Sequence, residues 1–244
     1  MLKALPLVLM SLVLAGCATA PAPASNASSS AMLAPRADEQ AYVQMLSQGM
    51  EALPSDGANK TIERYYDPVL AEFQKRFGDA KEKLYSARTL QEALLYMALS
   101  AARSEDALVI SSLWSEAHYL KAFAYLEVGK VDEAKVWMDK ALAMSPENAT
   151  YLAERGYIDH IEKNWAHALT LFEKAESSAQ HMSPENEKNQ EWLRALRGSG
   201  YSLIELGRLD EAERKYQQCL KLDPKDEKAM NELEYIKELR ATKT

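Results

Sequence analysis

The sequence contains few residues that break helices. Nine glycines and nine prolines are spread over 244 residues, while alanine, leucine, glutamate and lysine dominate. These four common residue types all favour helix. Hydrophobic residues make up 47% of the chain, which is ordinary for a folded protein and too many for a disordered one. We therefore expect an almost wholly helical, folded protein.

Basic stretches and catalytic motifs are also missing. Acidic and basic residues alternate along the chain at a net charge of −7, which indicates a solvated surface and no nucleic-acid partner. There is no glycine-rich phosphate loop and no nucleophile elbow. No two histidines have the i, i+4 spacing that a zinc site on one helix prefers; the four are His118, His160, His167 and His181. We expect no enzymatic activity, no cofactor and no metal site.

Cysteine occurs only twice, and the position of the first is informative. An apolar run from Ala4 to Ala15 follows a short basic start, and it is shorter than the roughly 20 residues that span a bilayer. Such a run is typical of a secretion signal. It ends in LAGC, with Cys17 last, which resembles the lipobox of bacterial lipoproteins. The resemblance implies a signal peptide over residues 1–16 and a lipidated Cys17; a plain cleaved signal with an unmodified cysteine is the alternative.

The residues after Cys17 bear on the location of the protein. In lipoproteins of this kind an aspartate after the cysteine favours the inner membrane, and here Ala18 follows. The resemblance therefore implies a lipid anchor in the outer membrane of a Gram-negative cell, on its periplasmic side. Residues 17–37 are predicted to be a lipidated cysteine and a tether, because alanine, proline and serine dominate there. The second cysteine, Cys219, is predicted to be a small buried residue, with a redox-active or partner-linking thiol as the alternative.

Three segments of the second half align with one another. They are GKVDEAKVWMDKALAMSP, KNWAHALTLFEKAESSAQ and GRLDEAERKYQQCLKLDP, and the alanines that anchor them are Ala134, Ala168 and Ala212. The first two alanines lie 34 residues apart and the last two lie 44 apart. Such a period predicts a helical solenoid. The longer spacing predicts a ten-residue insertion around Ser183 to Trp192, in which Ser183-Pro184 would start the next helix.

Residues 115–226 resemble tetratricopeptide repeats. In that family, small residues at positions 8, 20 and 27 let two helices approach closely, and a bulky residue at position 24 fills the gap between them. The matching residues are Ala122, Gly156 and Gly200 at position 8; Ala134, Ala168 and Ala212 at position 20; Met138, Phe172 and Tyr216 at position 24; and Ala141, Ala175 and Cys219 at position 27. Pro146 and Pro224 would end second helices, and Gln180 departs from this pattern. The expected fold is all-α, a tetratricopeptide-like solenoid of helical hairpins.

The regions on either side of the repeats are predicted to be helical as well. A helix over Asp226–Arg240 has one apolar face and one charged face, as the capping helix of a solenoid needs, so the repeat domain with its cap covers residues 113–240. Apolar stripes predict three helices within residues 38–112, the last carrying a degenerate repeat pattern at Ala93, Met97 and Ser100. The segment Ala107 to Leu113 is rich in branched residues, and we interpret it as the start of a long helix.

Aromatic and arginine residues are predicted to line a groove on the concave face. In the family, positions 2, 5, 9 and 12 of each repeat point into that groove, and rigid aromatics and arginine are favoured anchors at interfaces. The predicted partner-binding residues are Tyr119, Phe123, Tyr157, His160, Arg194, Arg197 and Tyr201. The aromatic residues have packing between helices as their alternative role. The lysine and asparagine pattern that grips a C-terminal carboxylate in chaperone-binding members is absent.

These observations favour one function over two others. The first hypothesis is a membrane-anchored periplasmic adaptor or scaffold that binds a peptide or protein in its concave groove, in envelope, secretion or pilus assembly. The second is a structural component that associates with itself or completes a larger complex through its outer faces. The third is an enzyme with a site in the N-terminal helical region. The partner and the oligomeric state do not follow from the sequence.

Overall fold

The computed structural model describes residues 36–242, and this part of the chain is mainly helical. The predicted signal peptide, Cys17 and almost all of the tether lie outside the described residues. No helix within residues 36–242 is long and apolar enough to cross a membrane. The all-α solenoid predicted from the repeats is confirmed, with two short strands added to it.

The N-terminal region packs against the first repeat in place of a preceding one. It consists of a 3₁₀ turn at Ala37–Glu39, α1 (Gln40–Asp56), α2 (Ala58–Thr61), a π-helical turn at Ile62–Tyr66 and α3 (Asp67–Phe77). The apolar stripes meet in one core that includes Leu46, Phe73 and Trp114. A Cβ at Gly49 would lie 2.4 Å from the Tyr66 ring. The lack of a side chain at Gly49 therefore allows α1 to pack closely against the π-helical turn. The N-terminal helices and the repeats therefore share a core.

Residues 83–111 form a βαβ unit, which corrects two predictions. Its elements are β1 (Lys83–Ala87), α4 (Leu90–Ala102) and β2 (Ala107–Ser111). The strands pair in parallel, from Lys83 opposite Ala107 to Ala87 opposite Ser111. The prediction of a helix starting at Ala107 was therefore wrong, because its branched residues pair with a strand far upstream. The degenerate repeat was wrong too, because α4 follows a strand instead of a helix and Met97 is 47% exposed.

Three helical hairpins and one further helix follow. They are α5 (Leu113–Glu127) with α6 (Val131–Met144), α7 (Ala149–Ile161) with α8 (Trp165–His181), α9 (Lys188–Glu205) with α10 (Leu209–Leu222), and the capping helix α11 (Glu227–Ala241). Both α6 and α10 end two residues before the prolines that were expected to stop them. The Asp226 carboxylate caps α11 by accepting the Ala229 N–H.

The small residues of the repeat occupy the places that the pattern predicts. All of those at positions 20 and 27 are fully buried, Cys219 included. Glycine at position 8 lies against the bulky ring at position 24, since a Cβ at Gly156 would be 2.8 Å from Phe172 and one at Gly200 would be 2.7 Å from Tyr216. The close approach of paired helices therefore depends on these side chains being small.

The insertion between the second and third repeats differs from its prediction. Ser183-Pro184 does not start a helix: the Glu187 and Lys188 N–H groups both donate to the Pro184 carbonyl, and α9 begins only at Lys188. The Ser183 hydroxyl instead donates to the Glu191 carboxylate. The insertion thereby carries Glu187 and Glu191 to Arg88 of the βαβ unit, at 3.2 and 2.6 Å.

Candidate partner-binding cleft

One cleft lies between the second repeat, the third repeat and the capping helix. Its volume is about 590 Å³. Each of the helices α7 to α11 contributes to its wall. The lining residues are Ala153, Tyr157, His160, Phe172, Gln190, Arg194, Arg197, Gly198, Tyr201, Tyr216, Lys228, Asn231 and Glu232.

Five of the seven predicted partner-binding residues lie together in this cleft. They are Tyr157, His160, Arg194, Arg197 and Tyr201. Tyr157 and Tyr201 are 49% and 40% exposed, although both are large aromatics on helices that pack on two sides. Side chains of this kind supply large contact area with few rotatable bonds. The two tyrosines are therefore available to a partner.

The other two predicted residues lie outside the cleft and pack between helices. The ring of Tyr119 stacks on Tyr151 with centroids 5.0 Å apart, and it contacts Phe123 at 6.4 Å. Both Tyr119 and Phe123 are half-buried against the N-terminal core. This is the packing alternative that the sequence left open. Tyr119 is held against the neighbouring helix α7, where its ring stacks on Tyr151 and its hydroxyl donates to Glu154 at 3.5 Å.

Both cleft arginines are already paired within the protein. Arg194 contacts Glu154 at 2.5 Å, and Arg197 contacts Asp226 at 2.9 Å. The side chains of Glu154 and Asp226 are 3% and 2% exposed, so each buried carboxylate fixes the position of the guanidinium that it contacts. An arginine has five N–H donors, and each of these ion pairs uses only part of them. The positive charge of both cleft arginines is therefore largely neutralised within the protein.

His160 belongs to an aromatic slot at one end of the cleft. This aromatic slot is lined by Tyr157, His160, Ile161, Trp165 and Tyr201 and has a volume of about 330 Å³. Ring centroids lie 5.1 Å apart for His160 and Tyr201, and 5.9 Å apart for Trp165 and Tyr201. Burial lowers the pKa of His160 to about 4, against the opposing charge of Asp159. The imidazole is therefore neutral near pH 7, with Nε2 2.7 Å from the Ser202 hydroxyl.

The sequence prediction missed the residues that complete the cleft. Lys228 and Asn231 belong to the capping helix, and they occupy positions 2 and 5 if the repeat register is continued past Asp226. Continuing the repeat positions into the capping helix would have predicted both residues. Trp165 was missed because it begins the second helix of its hairpin, and positions 2, 5, 9 and 12 all lie on first helices.

Within residues 36–242 no group of three or more histidine, cysteine, aspartate or glutamate side chains is arranged to hold a metal ion. The buried carboxylates of the cleft contact arginines instead.

Comparison with known proteins agrees with the repeat register. Two models described as the tetratricopeptide repeat match residues 115–148 and 193–226, which are the first and third repeats as the sequence placed them. Together with the fold, these matches show that the chain contains tetratricopeptide repeats in an all-α, tetratricopeptide-like solenoid. No curated protein sequence matches it.

Solved structures share the fold at low sequence identity. PilF of Pseudomonas aeruginosa has a TM-score of 0.57 at 14% identity, over 85% of this chain and 72% of that one. MamA of Desulfovibrio magneticus RS-1 has a TM-score of 0.53 at 15% identity, over 85% of this chain and 88% of that one. The first tetratricopeptide domain of Spaghetti (RPAP3), bound to an HSP90 peptide, has a TM-score of 0.47 at 25% identity, over 54% of this chain and 96% of that one. The first two structures share the solenoid fold over 85% of this chain.

Proposed function

We propose that the protein is a non-enzymatic scaffold that binds a polypeptide segment in the cleft between the second repeat, the third repeat and the capping helix. The observation that carries this proposal is the pair of exposed tyrosines, Tyr157 and Tyr201, on facing first helices of adjacent repeats. Large exposed aromatics in a concave site are typical anchors for a partner. The neutral, hydrogen-bonded His160 and the arginine-bound carboxylates favour recognition over acid–base chemistry.

Photocrosslinking in intact cells tests this function. Photoreactive residues replace Tyr157 and Tyr201 in turn, and Val136, which is 55% exposed on α6, serves as the control position. We expect the same discrete polypeptide to be captured from both cleft positions and not from position 136. Capture from position 136 alone would contradict the proposal, because it would place the partner on a different surface.

We further propose that the scaffold is anchored in the outer membrane through Cys17 and faces the periplasm. The support is the lipobox-like LAGC sequence, with Ala18 after the cysteine. Alanine, proline and serine dominate the twenty residues after Cys17, a composition typical of a tether. Cys17→Ser should move the protein from the outer-membrane fraction to the soluble periplasmic fraction. An unchanged distribution, or an unmodified Cys17 by mass spectrometry, would contradict the anchor.

Self-association is the second candidate, and α4 favours it. The outer face of this helix carries Leu94 and Met97, which are 60% and 47% exposed, together with exposed Ala98 and Ala101. In an antiparallel pair of such helices Leu94 would meet Ala101 of the other copy, so that large residues face small ones. Sedimentation of residues 36–244 tests this. A dimer that Leu94→Lys converts to a monomer supports self-association, and a monomer at high concentration rules it out.

A further inference from the structure

The repeats close one edge of the two-stranded sheet. The Lys83 N–H donates to the Asp106 carbonyl at 2.7 Å. In a parallel ladder both polar backbone groups of a residue point to the same side, so the odd-numbered residues of β1 face β2 and Ser86 faces the opposite way. On that side the Ser86 carbonyl accepts the Ser145 hydroxyl at 2.7 Å, and β1 contacts both helices of the first hairpin. The outer edge of β1 is therefore occupied.

The outer edge of β2 is open. Because the even-numbered residues of this strand face β1, Ala107, Val109 and Ser111 point their N–H and C=O groups to the other side. Across residues 36–242 no backbone hydrogen bond joins these three residues to a further segment. The strand reads ALVIS, without the charges or proline that usually protect an edge from pairing, and Leu108 is 37% exposed. The strand β2 is therefore a template for one more strand.

The helix α4 carries an apolar stripe on the same side as this open edge. The stripe consists of Leu90, Leu94, Met97 and Ala101. At roughly 100° per residue it lies opposite Glu92, whose carboxylate contacts Arg88 beside the third repeat. The stripe therefore points away from the repeats, as the outer edge of β2 does. Both Leu94 and Met97 are exposed, and contiguous exposed apolar surface of this kind marks an interaction site.

We propose that a second copy of the chain pairs its β2 antiparallel with this strand, across a two-fold axis at Val109. The two sheets join into one sheet of four strands, with both α4 helices side by side on one face. At the axis each Val109 N–H donates to the Val109 carbonyl of the other copy, as in a hydrogen-bonded antiparallel pair. Because the repeats cover β1 in both copies, residues 83–111 keep no open sheet edge, and association stops at the dimer. The dimer rests on the second candidate function, self-association, and it is independent of the cleft.

The spacing of the elements favours a second copy over a foreign strand. The helix α4 packs across both strands, so an axis at the edge of β2 places the two α4 helices two strand spacings apart. Strands lie about 4.8 Å apart, which gives about 9.6 Å between the helices, and packed helices lie about 8–10 Å apart. Leu94 then meets Ala101 of the other copy, a large residue against a small one. A foreign strand alone would pair with β2 and leave the stripe exposed.

Hydrogen exchange of single backbone amides tests the strand pairing. The full chain carries Cys17→Ser, so that no lipid drives association, and it is labelled at about 10 μM and at about 1 mM. We expect the Val109 amide to exchange at least about tenfold more slowly at the higher concentration, because its acceptor belongs to the other copy. The amides of Leu108 and Ile110 donate to β1, so they are the control within the same strand and should change much less. An unchanged Val109 rate would overturn the proposal even if sedimentation showed a dimer, since that dimer would form through the helices alone.

Two variants separate the strand pairing from association through other surfaces. Ala107→Pro removes an N–H that points away from β1, at the first residue of the strand, where proline is tolerated. Leu94→Lys places a charge on the stripe and carries the test if Ala107→Pro loses protection at Leu108 and Ile110. Each variant should raise the dissociation constant of the dimer at least about tenfold in sedimentation and speed exchange at Val109. Val136→Lys adds the same charge on exposed α6 as the control, and an equal effect of this control would contradict the assignment to β2 and α4.

Photocrosslinking from position 108 in intact cells distinguishes the possible occupants of the open edge. Leu108 lies next to the axis, where it faces Ile110 of the other copy in the proposed register. We expect a captured product of twice the mass of the chain. Capture of a different polypeptide alone would overturn the proposal, because β2 would then pair with a foreign strand. Crosslinks from positions 157 and 201 report on the cleft separately, so failure of the dimer and failure of the cleft function are distinguishable.

Discussion

At the scale of single residues, the repeat depends on matched sizes at positions 8 and 24. Glycine faces an aromatic ring in two hairpins, Gly156 with Phe172 and Gly200 with Tyr216. In the first hairpin, Ala122 shares a buried cluster with Met138, a flexible side chain. Ala122 has one methyl group more than the glycines at the same position, and its partner Met138 is more flexible than an aromatic ring.

This matching predicts the effect of Gly200→Ala. A Cβ there would lie 2.7 Å from the Tyr216 ring, so overpacking should lower the free energy of unfolding by about 1–3 kcal/mol, despite alanine's better helix propensity. Adding Tyr216→Met should recover most of the loss, because it recreates the alanine–methionine pair of the first hairpin. Urea denaturation of the single and double variants measures both effects, and a double variant no more stable than Gly200→Ala would contradict the size argument.

The turn inside each hairpin places one residue in the left-handed region. Gly129 and Gly207 have φ of 71° and 73°, and the equivalent residue of the second repeat is Lys163 at 59°. A lysine pays a steric penalty in this conformation that glycine avoids. Lys163→Gly should therefore raise the free energy of unfolding by about 0.5–1 kcal/mol, in spite of glycine's greater freedom in the unfolded chain. Gly207→Ala should lower the free energy of unfolding. A loss of stability in Lys163→Gly, or a gain in Gly207→Ala, would argue against strain at this turn.

At the scale of elements, the repeats were predictable and the βαβ unit was not. Each repeat carries its signal locally, in small and bulky residues at fixed spacing such as Ala168 and Phe172. The strand β2 has branched residues, but its partner β1 lies 24 residues upstream and reads KLYSA, with no alternating pattern. Pairing between distant segments leaves no local trace. In the cleft, the residues of the repeats were predicted, and those of the capping helix were missed only because the repeat register was not continued past Asp226.

Arg88 holds the βαβ unit to the third repeat. It contacts Glu92 at 3.0 Å and Glu191 at 2.6 Å, and both of these side chains are buried. Burial raises the pKa of Glu92, and Arg88 offsets only part of that effect. For Glu191, burial is outweighed by the charge and hydrogen bond of Arg88, so its pKa is lowered. Among residues 36–242, Arg88 is the only cation that forms ion pairs with these two buried carboxylates.

Removing this cation should loosen the unit. Arg88→Met leaves Glu92 and Glu191 without a compensating charge, which typically costs about 3–5 kcal/mol. We expect faster hydrogen exchange in residues 83–111 and a lower denaturation midpoint. Arg208→Met is the matched control, because Arg208 and Glu211 form an exposed pair at 2.7 Å. Unchanged exchange in residues 83–111 of Arg88→Met would show that the strands hold the unit without the arginine.

At the scale of the whole molecule, two half-buried histidines make stability depend on pH. Burial lowers the pKa of His118 to about 4, with further lowering by Lys140 and Lys121, and burial lowers that of His160 to about 4 as well. In the unfolded chain both titrate near 6.5. Between pH 6.5 and pH 4 the unfolded chain therefore binds more protons, so this contribution to stability is present above pH 6.5 and is lost as the pH falls.

The variant His118→Phe tests this dependence. The phenylalanine keeps the ring between Trp114 and Trp137, which lie 6.2 and 5.4 Å from His118 by centroid. Between pH 7.5 and pH 5 the wild type should lose up to about 2 kcal/mol more unfolding free energy than the variant. The raised pKa values of Glu92 and Glu116 act in the opposite direction, but they are common to both proteins and cancel in the comparison. Parallel pH curves for the two proteins would contradict the assignment to His118.

The βαβ unit also touches both junctions between repeats. The Ser145 hydroxyl donates to the Ser86 carbonyl at 2.7 Å, at the junction of the first and second repeats. The Thr89 hydroxyl donates to the Met182 carbonyl at 3.0 Å, where the second repeat gives way to the third. In an ordinary solenoid each repeat contacts its neighbours only. Here a segment from outside the repeats links the two ends of the second one.

That link limits how the protein can change over evolutionary time. Solenoids usually grow or shrink by duplicating or deleting whole repeats, because each new unit needs only the two beside it. A repeat inserted between the first and second ones would move Ser145 and Met182 apart by the thickness of a hairpin, and residues 83–111 would no longer reach both. The chain is therefore committed to its present number of repeats in this region, and descendants are expected to vary in the cleft residues and the surface while the length from Ser145 to Glu191 stays fixed.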